Sequence, residues 1–202
     1  VYQQTYCHQE VLWVWNNYSL INMKFLVKAK RGNKLKVQKI KIGILGGTFD
    51  PAHKGHLEIS KQAKKKFALR KIIWAITEKN PFKKLSKINI QDRIKFAKKF
   101  SIKQKFIKVK FFEDKIKSNR TIDLINYLNK DKKLDIYFLM GADNLVNFHK
   151  WHKWKSITKK CNILVFDRQG YKAKSLKSIT FKRLSAKYLT FIKFNKVNIS
   201  SS

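Results

Sequence analysis

The chain has 202 residues, of which 44% are hydrophobic, and a formal net charge of +35. That length allows one α/β domain with a full core, or one domain and an appendage. No stretch approaches the roughly 20 consecutive apolar residues of a helical membrane span, so no membrane partner is expected.

Residues 1–38 differ from the rest. Val1–Asn22 carries Trp13, Trp15 and three tyrosines with almost no charge, and Met23–Gln38 is basic. The positive charge follows the apolar part, the reverse of a secretory signal. This segment reads as an atypical extension outside the fold. Residues 39–202 read as one domain. Ile40–Leu45 is a first, central strand that ends in the Gly46-Gly47 turn, and Leu57–Leu69 has an amphipathic helical pattern. Ile72–Ile76 is a buried second strand. Thr77–Asn89 is a basic loop, Ile90–Phe100 a helix and Phe106–Phe112 an alternating strand. A helix opens near Thr121 and runs to Leu128, with Ser118 or Thr121 as a natural cap. Ile136–Met140 and Asn162–Phe166 are further strands. Strands that alternate with helices predict an α/β fold with right-handed parallel crossovers.

The charge comes from forty-one lysines against only six arginines. Arginine, not lysine, leads bidentate recognition of bases and phosphates. The lysines are spread throughout and accompany many Ile, Asn and Phe. They read as a compositional bias filling solvated faces, and nucleic acid is set aside as the main partner. Anionic substrates would still be drawn to such a surface. Cys7 and Cys161 are isolated, which signals neither zinc nor a redox pair, and a reducing cytoplasm is the default setting.

The most informative stretch is Gly46-Gly47-Thr48-Phe49-Asp50-Pro51-Ala52-His53-Lys54-Gly55-His56. It sits between a strand and a helix, where an α/β fold offers backbone N–H groups and a helix N-terminus to a phosphate. Gly46 and Gly47 lack a Cβ and admit a ligand close to the backbone. His53 and His56 are three apart, so both imidazoles can lean over the first helical turn and meet a phosphoryl group as charge develops on it. The bland alternative is a strand-turn-helix corner whose histidines only cap or pack.

The whole string resembles the signature of the nucleotidyltransferases with a His-x-Gly-His motif, and within them the bacterial nicotinate-mononucleotide adenylyltransferases. A second match is Gly141-Ala142-Asp143 after a strand, with Trp151 about ten residues on. Asp143 could accept ribose hydroxyls, and Trp151 offers a flat face to a pyridine ring. Trp154 reads as ordinary core packing. His149 and His152 have no acidic or Cys partner in sequence and read as surface residues. Three matches are partial. Ser118-Asn119-Arg120-Thr121-Ile122-Asp123 is similar to the family's Ser-x-Thr-x-Asp string but one residue longer, and capping would explain it equally well. Arg168-Gln169-Gly170-Tyr171 is similar to the family's Arg-Pro-Gly-Tyr string, with Arg168 then on nucleotide base or phosphate. Ile199-Ser200-Ser201 begins the family's Ile-Ser-Ser-Thr-x-x-Arg string and stops, so the resemblance predicts a chain truncated at its C-terminus. The family's Pro-Pro-His-Lys-like string is replaced by Pro81-Phe82-Lys83, without the His.

The resemblance implies a Rossmann-like α/β fold, an open, mostly parallel sheet with helices on both faces, and an enzyme that transfers AMP from ATP to nicotinate mononucleotide. His53 and His56 would be catalytic. Gly46, Gly47, Thr48, Phe49, Gly55, Arg168, Ile199, Ser200 and Ser201 would hold ATP and its phosphates. Thr121, Gly141, Asp143 and Trp151 would hold the pyridine nucleotide. Mg²⁺ would ride on the ATP phosphates, with no metal held by the protein itself. Two alternatives stay open at this stage. One is a sister transferase for nicotinamide mononucleotide or phosphopantetheine. The other is a non-catalytic nucleic-acid-binding protein on the same fold. The oligomeric state is not legible.

Overall fold

The computed structural model describes residues 38–80, 86–184 and 188–193. The expectations for the 1–38 extension, for Pro81-Phe82-Lys83 and for Ile199, Ser200 and Ser201 fall outside the described residues.

Six strands form one sheet. They are β1 (Ile40–Gly47), β2 (Lys71–Ile76), β3 (Ile107–Phe111), β4 (Leu134–Gly141), β5 (Asn162–Phe166) and β6 (Leu189–Ile192), in the spatial order β3-β2-β1-β4-β5-β6. Every pairing is parallel. Leu45 of β1 lies between Trp74 of β2 and Leu139 of β4. This is the open parallel sheet that the resemblance implies. The strand order reverses beside β1, which opens a crevice at the carboxyl ends of β1 and β4.

The helices are α1 (Lys54–Phe67), α2 (Ile90–Ser101), α3 (Glu113–Ile116), α4 (Thr121–Leu128), α5 (Ala142–Asn147), α6 (Trp154–Lys160), α7 (Lys172–Leu176) and α8 (Ile179–Arg183). Strand alternation divides the core in two. Leu45, Ile72, Trp74 and Leu139 meet Ala63 of α1 and Ala97 of α2 on one face. Ile42, Ile44, Phe138 and Val165 meet Ile125 of α4, Leu145 of α5 and Ile157 of α6 on the other. Cys161 is buried, and burial pushes its thiol up to about 12, so it behaves as a small apolar side chain.

Three local features differ from the sequence expectation. Gly46 and Gly47 are the last residues of β1, paired with Ala75 and Ile76, and do not form the turn. The left-handed backbone instead falls on Phe49, at φ 50°. A bulky side chain there costs about 1–2 kcal/mol. Burial of its ring, 1% exposed, offsets that cost. Helix α1 starts at Lys54, three residues early, because His53 caps it. Strand β6 and helices α3, α5, α6, α7 and α8 carry no sequence expectation. Each is seven residues or fewer, too short for a periodicity to register.

Candidate active site

A cleft of about 1550 Å³ opens at the carboxyl ends of the strands. Small-ligand pockets typically span roughly 300–1,000 Å³, so this one has room for two substrates. All the sequence-predicted site residues that are described line it: His53, His56, Gly46, Gly47, Thr48, Phe49, Gly55, Arg168, Thr121, Gly141, Asp143 and Trp151.

The two histidines cap α1 reciprocally. His53 Nδ1 accepts the Gly55 N–H at 3.1 Å, and His56 Nδ1 accepts the His53 N–H at 3.1 Å. Two of the helix's orphan donors are thereby satisfied by imidazoles, where a Ser and a Glu would ordinarily serve. Capping and cleft-lining turn out to be compatible. An Nδ1 that accepts carries no proton, so in the neutral ring the proton sits on Nε2. The ring centroids are 3.9 Å apart. The rings are backed by a stack in which Phe49 lies 4.5 Å from His56 and 5.1 Å from Trp74.

Across the cleft, Gly141 precedes α5. A Cβ on Gly141 would collide with Asp143 Oδ1, so a side chain there would make the turned-back carboxylate shift. Asp143 Oδ2 accepts from Arg168 Nη1 at 2.7 Å, an ion pair that joins the ends of β4 and β5. Trp151 stands edge-on to Phe138 and Phe148, with centroids at 6.1 and 5.1 Å. Trp154 packs against the core as expected. His152 is exposed at the cleft border, whereas His149 is half-buried with its Nδ1 inside the protein. Thr121 is the first residue of α4. The capping expectation is not met: the N-cap position is Arg120, with no side-chain cap, and the Ser118 hydroxyl donates to Asp123 Oδ2 at 2.7 Å.

Sequence reasoning missed Thr77 and Glu113 at the cleft and Arg93 beneath it. The Thr77 hydroxyl donates to Glu113 Oε1, and the Glu78 N–H points at the same carboxylate. Desolvation by burial raises the Glu113 pKa above the ordinary glutamate value, and the Thr77 hydroxyl bond opposes this. Arg93 of α2 is 3% exposed. One signal for it was available. Arg93 lies on the Ile90–Ile94–Ala97 stripe, and it is one of only six arginines beside forty-one lysines.

Among the described residues, no helix is long and apolar enough to cross a membrane. The family model for cytidylyltransferase-like proteins matches residues 44–202. A protein of Pelagibacter ubique, described as a probable nicotinate-nucleotide adenylyltransferase, is 71% identical over 173 residues, which cover 86% of this chain and 96% of that protein. One of Ruegeria with the same description is 34% identical over 130 residues, covering 64% of this chain and 68% of that protein. Among solved structures, the nicotinic acid mononucleotide adenylyltransferase of Plasmodium falciparum complexed with NaAD is similar in fold, with a TM-score of 0.60 and 19% identity over 78% of this chain and 76% of that one.

Proposed function

The chain belongs to the cytidylyltransferase-like family, among its nicotinate-nucleotide adenylyltransferases, and from that premise we propose that it transfers AMP from ATP to nicotinate mononucleotide. An oxygen of the mononucleotide phosphate forms a bond to the α-phosphorus of ATP, the bond to the β-phosphate oxygen breaks, and pyrophosphate leaves. The product is nicotinate adenine dinucleotide. No covalent enzyme intermediate is required, so positioning and charge stabilisation carry the catalysis.

The observation that carries this reading is the reciprocal histidine cap at the floor of the cleft. With both Nδ1 atoms engaged by backbone, the Nε2–H groups are the donors for the α-phosphate and the departing pyrophosphate. The N-terminus of α1 adds its dipole to the same place. Gly46, Gly47, Thr48, Phe49 and Gly55 would approach the ATP phosphates, and Arg168 its base or phosphates. We assign the same role to Ile199, Ser200 and Ser201. Asp143 would take ribose hydroxyls, and Thr121, Gly141 and Trp151 would bound the pyridine ring. Mg²⁺ would neutralise charge on the triphosphate. It would ride on phosphate oxygens, which suit a hard cation. A cytoplasmic setting is part of the proposal.

The test is pyrophosphate release from ATP and Mg²⁺ with nicotinate mononucleotide, nicotinamide mononucleotide or phosphopantetheine as acceptor. Turnover should be greatest with nicotinate mononucleotide and should be lost in His53→Ala. Preference for another acceptor would move the chain to a sister reaction. No release with any acceptor would sink the catalytic reading.

A further inference from the structure

Helix α2 does not border the cleft, yet it sends one charged side chain beneath it. Arg93 is buried, and its guanidinium makes four hydrogen bonds, all to backbone carbonyls. Nη1 donates to Thr48 O at 2.7 Å and to Thr77 O at 2.9 Å. Nη2 donates to Glu78 O at 3.1 Å, and Nε to Ile88 O at 3.1 Å. Thr48 belongs to the loop after β1, Thr77 and Glu78 to the loop after β2, and Ile88 to the lead-in of α2. The Thr77 N–H closes the circuit by donating to Gly47 O at 2.9 Å.

A buried cation is costly to desolvate, and each carbonyl returns only part of that cost. An amphipathic helix in a core needs no such group. What the guanidinium supplies is geometry. Its five N–H donors lie in a fixed plane and can span carbonyls from separate segments, which a lysine ammonium cannot. The Thr48 carbonyl is the point of contact with the loop that leads from the β1 glycines to His53. A shift there would carry through Phe49, whose ring backs His56 at 4.5 Å.

We infer that Arg93 is a positioning residue for the transfer reaction, locking the loop after β1 to the loop after β2 so that the phosphate-facing backbone and the two histidines are held in register. The inference rests on the proposed transferase reading. Arg93 does not touch substrate, because it does not line the cleft. It acts through Thr48 and Thr77.

Arg93→Lys keeps the charge and most of the stem but cannot reach all four carbonyls. The expected result is a tenfold to hundredfold fall in kcat, the scale of a misplacement of about 1 Å, with KM for either substrate changed less than threefold. Ile157→Val, which trims the core on the opposite face of the sheet, controls for lost stability and should keep wild-type kcat at the same temperature. Wild-type kcat in folded Arg93→Lys would overturn the inference while leaving the transferase reading intact. Absence of wild-type turnover would count against that reading instead.

A second measurement needs no variant. ATP with Mg²⁺ should slow amide hydrogen exchange in the wild-type protein at Gly47–Phe49 and also at Ile88–Arg93, a segment that does not border the cleft. Protection confined to the cleft-lining backbone would overturn the coupling even if Arg93→Lys failed to fold.

Discussion

Trp74 Nε1 donates to Ser60 Oγ at 2.9 Å inside the core, and the Ser60 hydroxyl donates in turn to the carbonyl of His56 at 2.7 Å. A strand in the middle of the sheet is thereby tied to the first turn of the helix that carries both histidines. Phe49 makes a second tie, its ring stacked on both Trp74 and His56, which are themselves 6.0 Å apart. Removing Ser60 leaves a buried indole N–H without its acceptor, at a cost of about 1–3 kcal/mol. Removing the indole N–H instead leaves a hydroxyl that keeps its own acceptor. Ser60→Ala should therefore lower urea-unfolding stability by more than the N–H deletion that Trp74→Phe also brings, once the smaller ring's lost packing is subtracted through the double variant. Additivity of the two would show that the bond carries no coupling energy.

The double role of His53 can be separated. Asparagine is among the best N-caps, and its side-chain oxygen can accept from the start of α1 as Nδ1 now does. His53→Asn should keep stability within a few tenths of a kcal/mol, whereas His53→Ala should lose about 1 kcal/mol as a cap. Both should lose on the order of 10²–10³ in kcat, the usual loss for one oxyanion donor. Full turnover in His53→Asn would make the histidine a cap and nothing more.

How much of this was legible follows from what leaves a local trace. The β1–α1 corner was, because glycines, a proline and two histidines at fixed spacing constrain one another within eleven residues. So were the gathering of Gly141, Asp143 and Trp151 at one cleft and the parallel sheet, since apolar runs alternate with amphipathic ones. The left-handed Phe49 was not. Its conformation is held by Trp74, twenty-five positions on in sequence and adjacent only after folding. Arg93 and Glu113 looked like two more charges on a charged chain, and only the fold buries the first and half-buries the second. The neighbour of Gly141 was also hidden: it is the Asp143 carboxylate that folds back over the space a Cβ would take.

Glu113 predicts a specific pH dependence. Burial raises its folded-state pKa above the value in the unfolded chain. Between those two values the folded protein binds more protons than the unfolded one. Stability from this group is therefore complete below the unfolded pKa and lost as pH rises through the folded one. Glu113→Gln has no proton to release. As pH is raised from the acid side of the glutamate range to neutral, wild-type Tm should fall relative to that of Glu113→Gln, by whatever absolute offset the two begin with. Parallel Tm profiles across that range would show that the carboxyl titrates normally.

Gly46 and Gly141 should answer differently to the same small change. A Cβ on Gly46 would sit 3.5 Å from the Phe138 ring, an ordinary contact, and the residue is in regular strand backbone. Gly46→Ala should fold with a Tm near that of the wild type. If the ATP phosphates approach this backbone as proposed, the added methyl occupies their space, and KM for ATP should rise at least tenfold. At Gly141 the added Cβ would meet Asp143 Oδ1 and shift the carboxylate from its place beside Arg168. Gly141→Ala should raise KM for the mononucleotide through lost ribose contact, and Asp143→Ala should match it with little further loss in the double variant, because both changes remove one group. Fully additive losses would mean that the two residues act separately and that the glycine's space serves the ligand directly. An unchanged KM for ATP in Gly46→Ala would remove the β1 terminus from the phosphate site.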